Sequence, residues 1–112
     1  MKRVKRVESL MKQTIAEILQ KDMLESFGFI SITEVSINRD FSSAKVFYSQ
    51  IGSTEEKQVT FKKLKKSAKF IKGQLGRKVE LKTTPNLRFV FDESIESGAR
   101  IINALQSIKN PS

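Results

Sequence analysis

The chain has 112 residues, enough for one domain with its own core, and it contains no cysteine, histidine or tryptophan. That composition excludes a disulfide framework and a thiolate metal site, and it removes the usual general base and thiol nucleophile of an enzyme. A formal net charge of +9 directs attention to polyanionic partners instead.

The first helix is expected over residues 3–21, because Val4, Val7, Met11, Ile15, Ile18 and Leu19 recur mostly at three- and four-residue steps and share one face. The basic start, Met1-Lys2-Arg3-Val4-Lys5-Arg6, is followed by Glu8, Lys12 and Glu17. That is an amphipathic pattern and not the apolar region of a secretory signal. No stretch reaches the roughly 18 apolar residues that would span a membrane. The chain therefore reads as soluble and cytoplasmic, with no membrane partner.

Gly28 breaks the chain before a strand expected over Phe29 to Ile37. Ile30 and Ile32 share one parity, whereas Val35 and Ile37 have the other, so a single register would turn one pair to solvent. A bulge near Thr33-Glu34 is the economical remedy. Asn38-Arg39-Asp40-Phe41-Ser42-Ser43 reads as a polar turn, with Asp40 serving it, and Ala44 to Ile51 as a second strand, antiparallel to the first.

After Gly52, Ser53-Thr54-Glu55-Glu56 has the form of a capping box. Phe61, Leu64, Ala68, Ile71 and Leu75 then make one apolar stripe that runs to Gly76, a natural helix stop. Val79-Glu80-Leu81 is expected to begin a third strand region, with Pro85 at a bulge or an edge and Leu87, Phe89 and Phe91 alternating beyond it. Asp92 or Ser94 is expected to cap a last helix over 94–108, with Ile95, Ile102 and Leu105 inward. The order is α-β-β-α-β-α, an α+β domain occupying 1–112, with 110–112 frayed. An antiparallel three-stranded sheet with helices over one face is the compact arrangement expected.

The charge is concentrated. Between Lys57 and Val79 stand nine basic residues and no acidic one, while the remaining 12 basic residues balance all 12 acidic ones. Lys62, Lys65, Lys69 and Lys72 form a stripe turned about 100° from the apolar one, at 3.6 residues per turn. Lys63 and Lys66 lie further round, and Arg77 and Lys78 follow Gly76. A solvated helix normally mixes signs, and like charges at helical spacing cost a few tenths of a kcal/mol each. An array that repels itself implies a partner that neutralises it.

Lysines are point charges suited to phosphates more than to base edges, so backbone and shape recognition of a nucleic acid is expected to dominate. Phe61, Phe89 and Phe91 fall in the apolar pattern and are assigned to the core, while Phe70 lies off the stripe. Gly73-Gln74-Leu75-Gly76-Arg77-Lys78 has the wrong spacing for a P-loop, and the carboxylates are scattered. No enzymatic activity, cofactor, metal or small-molecule substrate is expected. Two other readings use the same face: a protein–protein adaptor gripping an acidic partner, or a general nucleic-acid-binding protein acting also on DNA.

The order and spacing of several short segments resemble bacterial ribosome-binding factor A. They are Val35-Ser36-Ile37-Asn38-Arg39-Asp40-Phe41 with Ala44-Lys45-Val46-Phe47, and Phe70-Ile71-Lys72 with Leu75-Gly76. Further along come Pro85-Asn86-Leu87-Arg88-Phe89 with Asp92, and Ser94-Ile95 with Gly98. The resemblance covers nearly the whole chain, to about Ile108. It implies a KH-like fold of the second type, in which a helix-kink-helix with an Ala-x-Gly step replaces the KH glycine loop. It also implies a non-enzymatic monomer that binds the small (30S) ribosomal subunit and assists late processing of its 16S rRNA near the 5′ end. Ser67, Ala68 and Lys69 stand at the position of that step, so neither its Ala nor its Gly is kept. The residues expected to contact RNA are thus Lys62, Lys63, Lys65, Lys66, Ser67, Lys69, Lys72, Arg77 and Lys78. The family's Asp-Pro-Arg after the first helix is replaced by Asp22-Met23-Leu24, one basic contact fewer.

Overall fold

The computed structural model describes residues 2–21 and 30–93. The expected last helix over 94–108, the chain end and the loop at Asp22-Met23-Leu24 fall outside the described residues. Within them the order is α1 (Lys2–Lys21), β1 (Ile30–Ile37), β2 (Ser43–Gln50), α2 (Thr54–Lys78) and β3 (Asn86–Phe91). The strands form one sheet in the order β1-β2-β3.

β1 and β2 pair antiparallel, as expected, and the register shifts between Ile32 and Glu34 so that Thr33 is the extra residue. The shift puts Ile32 and Val35 on the same buried face despite their opposite parity, and Ile30 and Ile37 pack partly against the core from that side. The hairpin turn is held by Asn38, whose Oδ1 accepts from the Ser43 N–H at 3.0 Å while its Nδ2 donates to the Ser42 hydroxyl at 2.9 Å. Asp40 accepts from the Ser42 N–H at 3.0 Å, and the Ser42 hydroxyl and backbone hold its carboxyl below the usual carboxylate range. Phe41 completes the turn with φ 62, a left-handed conformation uncommon for a bulky residue.

β3 runs parallel to β2, with Ala44 opposite Leu87 and Val46 opposite Phe89. The sheet is therefore mixed, which corrects the all-antiparallel expectation. Parallel neighbours require a crossover, and α2 supplies it: its 25 residues, about 37 Å of helix, return the chain to the end from which β2 started. Val79, Glu80 and Leu81 belong to the return loop and not to a strand; Val79 is buried and Leu81 packs on the core. Pro85 is fully buried just ahead of β3, where the ladder asks nothing of its nitrogen.

α1 and α2 cover one face of the sheet. Met11, Ile15, Ile18 and Leu19 meet Ile32, Val35, Ala44, Val46, Tyr48, Leu64, Ile71, Leu75, Leu87 and Phe89 in a single buried cluster. Tyr48 and Phe91 pack edge to face with ring centroids 5.6 Å apart, and burial raises the Tyr48 hydroxyl pKa. Glu8 of α1 accepts from the backbone N–H of Ile37 at 2.8 Å, satisfying a donor on the edge strand. Asp92 accepts from the Thr33 hydroxyl at 2.6 Å and donates its N–H to the Tyr48 carbonyl at 2.7 Å, so it links the bulge to the end of β3.

Gly76 is not the helix stop. α2 continues to Lys78, and the N–H of Val79, in extended conformation, closes the last turn on the Leu75 carbonyl at 2.9 Å. What Gly76 provides is clearance, since a Cβ there would lie 2.8 Å from the Thr84 hydroxyl. Gly73, on the same helix, has nothing within 4 Å of such a Cβ. Gly73→Ala is therefore expected to stabilise the protein by about 0.5–1 kcal/mol through helix propensity alone. Gly76→Ala is expected to be net destabilising, because the Thr84 side chain must give way at a cost of roughly 1–3 kcal/mol. Thermal melts of the two variants check this, and equal gains would show that the Thr84 approach exerts no constraint.

Candidate nucleic-acid interface

The interface is built on α2, and its start is set by the capping box. Ser53 Oγ accepts from the Glu56 N–H at 3.1 Å, and the Glu56 carboxylate accepts from the Ser53 N–H at 3.0 Å. Those bonds, the Ser53 backbone N–H first and its hydroxyl second, hold the Glu56 carboxyl below its ordinary range.

The buried stripe of the helix is Thr60, Leu64, Ile71 and Leu75, with Ala68 half-buried between. Thr60 takes the place expected of Phe61. Its hydroxyl accepts from Gln50 Nε2 at 2.7 Å, inside the core, while Phe61 is turned outward and 41% exposed. Assigning Phe61 to the core is thus corrected: the buried line through Thr60, Leu64, Ile71 and Leu75 leaves Phe61 about 70° round the helix from it. Phe89 is buried as expected, and Phe91 is half-buried under Lys57, whose ammonium sits 5.2 Å from the ring centre.

Opposite the buried stripe stand the lysines. Lys62, Lys63, Lys65, Lys66 and Lys69 are exposed, and Lys62, Lys66 and Lys69 lie about 150–170° round the helix from the buried line. Lys72 is half-buried at the margin, where its ammonium donates to Asn86 Oδ1 at 2.9 Å. Arg77 and Lys78 are exposed at the helix end. Ser67 is half-buried on the flank nearer the core, so the structure does not bring it into the lysine face. Phe70 is half-exposed among the cations, flanked along the helix by Lys66 before it and Arg77 beyond it.

α2 passes through Ser67-Ala68-Lys69 without a break, one helix where the resemblance implies two. Ala and Lys both favour helix, and no glycine interrupts the hydrogen-bond ladder there. The lysine face is accordingly one continuous helical run of about 15 Å from Lys62 to Lys72. Among the described residues no acidic cluster able to hold a metal ion is present.

A second group of cations has no signature in the sequence. Lys45 on β2 and Arg88 on β3 are both exposed on the sheet face away from the helices, directly opposite one another in the parallel register. Only the direction of β3 brings them together, and no local pattern encodes it.

An α+β sheet covered on one side by helices, with a basic crossover helix facing solvent, defines a KH-like domain. A family model described as ribosome-binding factor A matches residues 3–105. The chain is 40% identical over 105 residues to ribosome-binding factor A of Carboxydothermus hydrogenoformans, covering 93% of this chain and 84% of that protein. It is 41% identical over 103 residues to that of Acetivibrio thermocellus, covering 90% and 84%. The chain belongs to the ribosome-binding factor A family. Its fold matches the crystal structure of the Thermus thermophilus factor with TM-score 0.69 at 20% identity, over 78% of this chain and 93% of that one. It also matches, at TM-score 0.66 and 19% identity over 79% and 93%, a Thermus thermophilus factor model fitted into a cryo-EM map of its complex with the 30S subunit.

Because the Glu56 carboxyl is depressed in the folded state, its contribution is present above its unfolded value, near 4.5, and is lost as pH falls through the lower folded value. Glu56→Gln is expected to remove that segment of the stability–pH curve by lowering the melting temperature at neutral pH toward the acid value, so that the two pH limits differ less than in the wild type. Ser53→Ala should cost about 1 kcal/mol at neutral pH. Melting curves between pH 7 and 3 check both, and an acid limb unchanged in Glu56→Gln would place the titration elsewhere.

Proposed function

We propose that the chain, as a single domain, binds the small ribosomal subunit through its 16S rRNA and assists late maturation and processing of that RNA. It acts as a non-enzymatic monomer in the cytoplasm. The observation that carries this reading is the segregation of charge on α2. One face is committed to the core by Leu64, Ile71 and Leu75, and the opposite face carries lysines without an interspersed acid. Family membership and the Thermus thermophilus factor's fit into a 30S complex support the choice of partner. The contacts proposed are Lys62, Lys63, Lys65, Lys66, Lys69, Lys72, Arg77 and Lys78, acting on phosphates; Ser67 contributes through the helix flank.

Replacing Lys62, Lys65, Lys69 and Lys72 together by Gln is expected to leave the fold intact, since none of them supplies the buried stripe. Affinity for purified small subunits should fall. The plot of log K against log salt should flatten by about 0.7–0.9 for each phosphate that the variant no longer neutralises. In extracts fractionated on a gradient, the wild-type protein should travel with free small subunits and not with translating ribosomes. An unchanged slope would remove α2 from the RNA interface, and no association with subunits would remove the function.

A further inference from the structure

We propose that the phosphate-binding surface does not end with α2 but rounds the β3 edge and continues across the outer sheet face through Asn86, Arg88 and Lys45. The inference rests on the function just proposed and extends its site to residues on a different side of the molecule.

The geometry supplies the path. β3 is an edge strand, and Lys72, on the margin of α2, reaches its first residue through the bond to Asn86 Oδ1 at 2.9 Å. That bond engages the carbonyl of the Asn86 amide, and the residue is exposed. Strand alternation sets Asn86 and Arg88 on one face of β3, because Leu87 and Phe89 between and beyond them are buried on the other. Arg88 lies opposite Lys45 in the parallel ladder, about 5 Å away between backbones. Phe47 and Val90, also opposite one another, are half-buried beside this pair and form an apolar strip along it.

The energetics call for a ligand. Like charges directly opposite one another on a sheet destabilise it. Among the described residues neither Lys45 nor Arg88 has a carboxylate partner; Glu34 lies across β2 at the level of Phe47, and Asp92, beyond the end of β3, accepts from the Thr33 hydroxyl. A guanidinium offers a planar pair of donors to a phosphate, and an adjacent ammonium adds a point charge. The ligand that fits is the sugar–phosphate backbone of one RNA strand, running along the α2 lysines and over the β3 edge.

The test compares wild type, Lys45→Gln/Arg88→Gln and Lys62→Gln/Lys65→Gln/Lys69→Gln in salt titrations of binding to purified small subunits. Circular dichroism and low-salt melting first show that each variant is folded; the sheet variant should melt no lower than wild type, since it removes a repulsion. Its slope of log K against log salt is expected to be shallower by about 1.4–1.8, the equivalent of two phosphates. The charge-keeping exchange Lys45→Arg/Arg88→Lys should restore most of it. A wild-type slope in Lys45→Gln/Arg88→Gln, with a flattened one in the α2 variant, overturns the extension and leaves the α2 site standing. Wild-type slopes in both overturn the two together. A slope that the charge-keeping exchange fails to restore also overturns the proposal, since the change would then be one of sheet structure and not of charge.

Discussion

The parallel pairing of β2 with β3 is the constraint on which the rest of the molecule depends. Neighbouring strands that run the same way cannot be joined by a tight turn, so the chain must leave the sheet, travel its length and return. α2 is that return path, and it cannot lie on the sheet without an apolar line. Thr60, Leu64, Ile71 and Leu75 provide the line and fix the helix's rotation about its own axis. Once the rotation is fixed, the opposite face must point to solvent. The lysines face outward because of the core residues between them.

The same rotation accounts for the two phenylalanines left outside. Phe61 and Phe70 sit on opposite flanks of the buried line, each far enough round the helix to miss the sheet. Between them the surface is almost wholly cationic, a combination suited to a ligand that carries both charge and flat apolar faces. Lys72, at the margin of this surface, is held at the sheet edge by the side-chain amide of Asn86.

Local features are legible from sequence, and those that depend on distant partners are not. The Thr33 bulge follows from a clash of parities within eight residues, and the capping box from four. Both are properties of a segment alone. The direction of β3 depends on how a 25-residue helix docks, and nothing in Leu87, Phe89 and Phe91 distinguishes a parallel from an antiparallel neighbour. For the same reason Lys45 and Arg88 escape notice: each looks like an ordinary solvent-facing strand residue until the register sets them side by side. Gly76 misleads in another way. A glycine late in a helical pattern reads as a stop, but here the missing Cβ makes room for Thr84, a residue eight positions on. Phe61 is misplaced because its three-residue step to Leu64 fits a stripe as well as the four-residue step from Thr60, and only Thr60 is buried.

The bulge at Thr33 has a bearing on how the hairpin finds its alignment. A regular strand of alternating residues can slide by two positions and still present its apolar side, so several pairings compete during folding. β1 cannot do this. Its two halves have opposite parity, and only an extra residue between Ile32 and Glu34 lets both face the core at once. Without that residue, either Ile30 and Ile32 or Val35 and Ile37 would lie in water. The irregular residue is thus the point at which the two parities of β1 are reconciled, and the hairpin turn at Asn38 sets the pairing on either side of it.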